Sequence, residues 1–186
     1  MPVRAKLSEL AAALALGALA VGCGPVGPAD SQGDAVVPQE AVNGLPTPEG
    51  FSFAEPVEQV GAIGLASALE GDSQAIESSG FVDAAVRMWQ GEGRELTAAV
   101  GVFSSHGAAL TVASAASEPV LNRDDARAWT PSGLNGSRGA RAIEDPPERV
   151  LAIAKGPNAL IVTAEGDVPD EALEDAVERL SEFAGS

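Results

Sequence analysis

The sequence predicts an α+β fold: a two-layer sandwich in which one antiparallel sheet carries helices on one face. Three observations predict it. Two hairpin signals, over 81–102 and 149–164, are each followed by a segment of helical character. A helix-period segment precedes the first hairpin. Hairpins interleaved with helices close most simply into one antiparallel sheet with helices packed against it. The element order reads α-ββα-(β)ββα, which looks like a loose duplication of a hairpin-plus-helix unit. The two halves share little sequence identity, so that reading rests on element order alone.

Taken in order, Leu65, Leu69, Asp72 and Ile76 recur at helical spacing, Gly71 interrupts the segment, and Gly80 closes it as a C-cap would. Over 81–89, Val82, Ala84, Val86 and Met88 alternate with Phe81, Asp83, Ala85, Arg87 and Trp89, the period-two pattern of a strand. Gly91-Glu92-Gly93 makes a turn, and Leu96, Ala98, Val100 and Val102 supply the partner strand. Ser104 is placed to cap an Ala-rich helix over 105–116, which must end before Pro119. A Gly-, Ser- and Pro-rich loop spans 122–147, broken by a short strand at 140–143. The second hairpin, 149–155 and 159–164 about Gly156-Pro157-Asn158, is apolar on both faces, as at the centre of a sheet covered by helix. Pro169 opens a last helix whose inner stripe is Leu173, Val177, Leu180 and Ala184.

The N-terminus is organised differently. Arg4 and Lys6 precede an apolar run over 10–21, and small residues lead into Cys23, the only cysteine. A positive start, an apolar core and a small-residue cleavage site form the plan of a secretory signal. The run is too short for the roughly 20 apolar residues of a membrane span, and Gly24-Pro25 stops any helix. The stretch Ala20-Val21-Gly22-Cys23 resembles the lipobox of bacterial lipoproteins. That resemblance implies cleavage before Cys23, a diacylglyceryl group on its thiol and tethering by lipid outside the cytoplasm. An ordinary cleaved signal is the alternative. Residues 1–22 then form the signal peptide. Residues 23–51, with Pro25, Pro28, Pro38, Pro46 and Pro48 among Gly, Asp, Gln and Ser, read as a flexible tether whose ends lie about 30 Å apart. Residues 52–186 form a single domain.

The chain carries a formal charge of −16, and since residues 1–22 hold Arg4, Lys6 and Glu9, the remainder carries −17. Such a surface repels phosphate backbones, so nucleic-acid binding is excluded as a role. With Cys23 committed to lipid, no disulfide and no cysteine metal site is available, and no cofactor is expected. His106, the sole histidine, stands beside Ser104 and Ser105. Neighbours at a helix start cannot form a nucleophile–base pair with each other, and His106 reads as an exposed first-turn residue. No catalytic or metal-binding residue is assigned.

The candidate ligand or partner contacts are Arg87 and Trp89 on the first hairpin, and Arg123, Arg127, Trp129, Arg138 and Arg141 in and beside the 122–147 loop. The arginines, with Arg149, could grip carboxylate or phosphate, although neighbouring Asp and Glu residues would pair with several. Trp89 and Trp129 could form a ligand platform, packing in the core or under the loop being the ordinary alternative. The acids of the last helix, from Asp170 to Glu182, read as a solvated face. The expected function is that of a non-enzymatic binding or accessory module of the cell envelope. Its partners would be the membrane, through Cys23, and envelope proteins or a small ligand. A carrier of a lipid or small hydrophobic ligand in a sheet–helix cavity is the alternative, and a hydrolase is the less favoured one. The oligomeric state is not legible.

Overall fold

Two long hairpins form the middle of an eight-stranded antiparallel sheet in the computed structural model, which describes residues 33–185. The first joins β3 (Phe81–Gly91) to β4 (Arg94–Phe103). The second joins β7 (Glu148–Lys155) to β8 (Asn158–Glu165). β4 pairs with β8, Val100 opposite Leu160, so the hairpins lie side by side. Beyond β7 come β6 (Arg138–Ala142) and the edge strand β5 (Arg127–Trp129). At the other edge β1 (Phe53–Ala54) and β2 (Glu58–Val60) both pair with β3. The helices are α1 (Pro38–Asn43), α2 (Ala62–Ala68), α3 (Ser73–Ser78), α4 (His106–Ala115), α5 (Glu118–Leu121) and α6 (Asp170–Phe183).

The fold is α+β, an antiparallel sheet packed against helices, as the sequence predicts. The number of layers differs. Leu96, Ala98, Val100, Leu151, Leu160 and Val162 point to one face and share a core with α1 and α6. Ala84, Ala99, Ala152, Ala154, Ala159 and Ile161 point to the other and share a core with α2, α3 and α4. The expectation of helices on one face is corrected: they cover both. The physical reason is the one that marked 149–155 and 159–164 as central. A strand apolar on both faces needs cover on both, and Ala159, Leu160, Ile161 and Val162 are all fully buried.

That arrangement also disposes of the duplication. Two hairpins related by a two-fold axis between antiparallel β4 and β8 would send their following helices to the same face. Instead α4 lies on one face and α6 on the other. The repeat is one of element order only.

The second correction concerns the segment read as a tether to residue 51. Its described part, from Gly33, belongs to the folded body. Asn158, fully buried in the turn end of β8, accepts from Val36 N at 3.1 Å and donates through Nδ2 to the Asp34 carbonyl at 2.9 Å. Gly156, at φ +54°, packs so close that a Cβ there would run into the Gly33 carbonyl. Pro38 starts α1, which lays Ala41 and Val42 on the sheet, and Leu45 and Phe51 follow them into the core. The prolines misled because composition alone treats 23–51 as uniform. Ala41-Val42 and Leu45, spaced by three and four, form a one-turn apolar stripe too short to stand out. The remainder, 23–32, lies outside the described residues, as do the signal segment and Cys23.

Smaller differences follow local chemistry. The 65–80 segment breaks at Glu70-Gly71 into α2 and α3, with Asp72 capping α3 by accepting from Gln74 N at 2.8 Å. Ser105, not Ser104, caps α4, accepting from Ala108 N at 3.2 Å. Pro119 sits in the first turn of a further short helix, α5, and the 122–147 loop contains two strands where one was expected.

If 33–51 is an integral layer, Leu45→Ala should lower the free energy of urea unfolding by about 2–5 kcal/mol, the usual cost of a buried Leu→Ala change. A flexible tether would tolerate it without a measurable shift.

Candidate functional site

The cover on the α2–α5 face is incomplete and leaves a hollow. Leu69 caps the end of α2, and the chain turns through Glu70, which holds φ +52°, a left-handed conformation costly for a residue with a Cβ. Asp72 then starts α3. Across from this pair, Ala116 caps α4 and Pro119 lies in the first turn of α5. Between α3 and α4–α5 lies a cleft of about 530 Å3 walled by Leu69, Ile76, Thr111, Val112, Ala115 and Pro119. Leu69, Glu70, Ala116 and Pro119 also border a second hollow of about 190 Å3 that reaches the sheet. Its floor is a cross-strand row, Met88 opposite Thr97, Thr97 opposite Thr163, Thr163 opposite Val150.

Carboxylates surround both hollows. Glu70, Asp72 and Glu118 border the larger. The next row of the sheet places Glu95 opposite Glu165 and Glu165 opposite Glu148 at the mouth of the smaller. Like charges directly opposite on a sheet repel. Burial, and then the Glu165 carboxylate, push Glu95 above the ordinary glutamate range, against a hydrogen bond with Gln90 that favours its charged form. Arg149, between Glu148 and Val150 on β7, sends its guanidinium to the opposite face of the sheet, where Nε donates to Asp170 Oδ1 at 2.9 Å. Among the described residues no group of three or more His, Cys, Asp or Glu side chains is arranged to hold a metal ion.

The residues singled out from the sequence fall elsewhere. Arg87 and Trp89 lie under α1 on the opposite face: Trp89 is 1% exposed, with the Arg87 guanidinium 5.0 Å from its ring centre. Arg87 Nη1 donates to the Leu45 carbonyl at 3.2 Å, fastening the N-terminal layer. Trp129 stands on β5, five strand spacings from β3, or about 24 Å, so Trp89 and Trp129 do not form a platform. Arg123 is fully engaged, reaching Glu148 at 3.0 Å, Asp125 at 3.4 Å and the Pro146 carbonyl at 3.0 Å. Asp125 Oδ2 accepts from Glu144 N and Ile143 N at 2.6 Å each. Those bonds, the Glu144 one first, hold its carboxyl below the usual range despite partial desolvation. Arg127, Arg141 and Arg149 do come together, as cross-strand partners on β5, β6 and β7, while Arg138 points to the other face, opposite Ala152. His106 is half-buried rather than exposed: its Nδ1–H donates to the Gly156 carbonyl at 2.9 Å, tying α4 to the β7–β8 turn.

The hollow was missed because its walls come from short helices whose ends the sequence does not mark. One signal was available. Thr97 and Thr163 interrupt otherwise apolar strands, and both are cross-strand neighbours on the hollow's floor.

No protein-family model matches the chain, and no curated protein matches it significantly. Solved structures to which the chain shows similarity include two from mycobacteria. One is the extracellular domain of PknH from Mycobacterium tuberculosis, with a TM-score of 0.54 and 10% identity, covering 83% of this chain and 98% of that one. The other is an uncharacterized protein of Mycobacterium smegmatis, an Rv0999 ortholog, with a TM-score of 0.36 and 15% identity over 74% of this chain and 88% of that one. At these identities the likeness to the PknH domain is one of fold. Among the described residues no helix is long and apolar enough to cross a membrane.

Because the folded state favours protonated Glu95, ionising it destabilises the fold progressively as pH rises from the unfolded value of about 4.5 through the raised folded value. Glu95→Gln should therefore raise the melting temperature at pH 7 and leave it nearly unchanged at pH 4. An equal shift at both pH values would remove the electrostatic cause.

Proposed function

We propose that this chain is an extracytoplasmic lipoprotein, cleaved before Cys23 and held to the membrane by a diacylglyceryl group on that cysteine, and that it acts there as a non-enzymatic binding module. The cleft between α3 and α4–α5 is its ligand seat, and that cleft is the observation that carries the reading. Binding sites are concave and mostly apolar, with a few placed polar groups. Here apolar walls are bordered by Glu70, Asp72 and Glu118, with Glu95, Glu148 and Glu165 at the adjoining hollow. A ligand with an apolar body and a positive end suits that border best. Glu70 adds support: a strained non-glycine residue where the two hollows adjoin fits the tendency of backbone strain to collect at functional sites. The fold shared with an extracellular domain agrees with a place outside the cytoplasm.

The anchor sets the geometry. Nine residues lie between Cys23 and Gly33, the first described residue, and the ten Cα–Cα steps reach at most about 35 Å. The domain therefore works close to its membrane, its β7–β8 turn being the point of attachment. The carrier reading draws on the smaller hollow, which lies between sheet and helices, but both hollows open to solvent. That shape suits a ligand held at the surface better than one sealed inside.

Two outcomes test the reading. Mass spectrometry of the native N-terminal peptide should find a lipid mass on Cys23, and Cys23→Ser should release the protein from membranes. An unmodified Cys23 would overturn the anchor. For the cleft, dodecyltrimethylammonium below its micelle concentration should bind more tightly than dodecyl sulfate. Glu70→Gly should weaken that binding by about two- to fivefold while raising stability by about 0.5–1 kcal/mol through relief of the left-handed strain. Glu171→Gln, of equal charge but on the opposite layer, should change neither. Equal effects of the two variants on binding would contradict a cleft site.

A further inference from the structure

We infer that the arginine row on the opposite face, Arg127–Arg141–Arg149, is a second binding site, one that takes a phosphate-type dianion. Arg127 is the cross-strand partner of Arg141, and Arg141 of Arg149, so three guanidiniums stand side by side on one face of β5, β6 and β7. Directly opposed like charges oppose sheet formation, yet the row has a single carboxylate partner. Asp170, the first residue of α6, accepts from Arg141 Nη1 and from Arg149 Nε, both at 2.9 Å. Glu171 and Glu174 on the same helix make no ion pair with the row. Three positive charges against one negative leave an excess of two in a chain whose formal charge is −16.

The three arginines are not equivalent. Arg149 is mostly buried, and its Nη1 also donates to the Gly166 carbonyl at 3.2 Å, so it serves as a positioning residue that fixes Asp170. Arg141 spends one of its donors on Asp170 and has a side chain 42% exposed. Arg127 is exposed and has no hydrogen-bond or ion-pair partner among the described residues. A guanidinium carries five N–H donors in a flat fork that matches phosphate and carboxylate oxygens. Two adjacent forks with most donors open form an oxyanion grip, and the excess of two charges favours a dianion over a monoanion. Trp129, two residues on from Arg127 on the same strand face and half-buried, supplies an apolar wall beside the grip.

A protective role for charge on an edge strand explains Arg127 alone, because Arg141 and Arg149 lie on interior strands. The row also stands near the end of β7 remote from Gly156, about 24 Å along the strand from where the N-terminal segment joins the body. If Cys23 is the anchor, the row faces away from the bilayer. The phosphate it takes is then a free or solute-borne one rather than a lipid headgroup of the same membrane.

Titration of the full chain with inorganic phosphate, phenyl phosphate and acetate, followed by calorimetry, tests this. Phosphate should bind more tightly than acetate, and phenyl phosphate more tightly still through Trp129. Arg127→Ala and Arg141→Lys should each weaken phosphate binding about tenfold, as loss of charge-assisted bonds does. Arg138→Ala removes an equally exposed, unpartnered arginine from the other face and should change nothing. Arg127 makes no native contact to lose, so its variant keeps the test readable if Arg141→Lys perturbs folding. Equal weakening by Arg138→Ala, no binding of free phosphate, or Arg127-dependent binding only to phosphatidic-acid vesicles would each overturn the inference.

Discussion

Burial of the central strands on both faces is the constraint on which the rest of the structure depends. In β8 four consecutive residues, Ala159 to Val162, are fully enclosed, and a strand so enclosed cannot sit in a two-layer sandwich. One layer is supplied by α2 to α5. The other cannot be made by α6 alone, since β3 and β4 extend past it, and the N-terminal segment completes the cover. Each large apolar side chain it buries is worth about 1.5–3 kcal/mol, enough to offset the ordering of a short proline-bearing stretch. Asn158 satisfies the backbone of that segment where it crosses the end of the sheet.

The two faces are built from residues of different size, and this shapes the sites. Towards α1 and α6 the sheet presents the large side chains of Trp89, Leu96, Leu151, Ile153, Leu160 and Val162. Towards α2 to α5 it presents mostly alanine, at 84, 99, 140, 142, 152, 154 and 159. Alanine lets α4 sit close to the strands, but it leaves little volume to fill the gap between the α2–α3 pair and the α4–α5 pair. Where the row changes to Met88, Thr97 and Thr163, the gap becomes a hollow. Charge divides in the same way: carboxylates border the hollows on the alanine face, and the arginine row lies on the other. A strongly acidic chain thus carries a row of three adjacent arginines, two of them held by Asp170.

What could be read from the sequence follows from how far each signal reaches along the chain. The first hairpin and the last helix were legible because their periodicity runs over eight or more residues, the second hairpin because two apolar runs flank Gly156-Pro157-Asn158, and Leu173, Val177, Leu180 and Ala184 all lie in the core. The apolar character of 149–155 and 159–164 already implied cover on both faces, yet the one-face sandwich ignored it. The second layer was hidden because its missing part, α1, is six residues long and lies among prolines. The cleft was illegible for a related reason: it is a space between helix ends, fixed by Glu70 and Pro119 rather than by a motif. Among the arginines, spacing in the 122–147 loop could not distinguish Arg138 from Arg127 and Arg141, because the face each occupies depends on strand register, which the loop composition conceals.

The standing of 33–51 as part of the folded body is tested most directly by native-state hydrogen exchange. The amides of Ala41 and Gly44, bonded to the carbonyls of Val37 and Glu40, should be protected nearly as strongly as those of β4 and β8 and should open with them. Exchange at the rate of an unstructured peptide, with the sheet still protected, would contradict a second layer built from this segment.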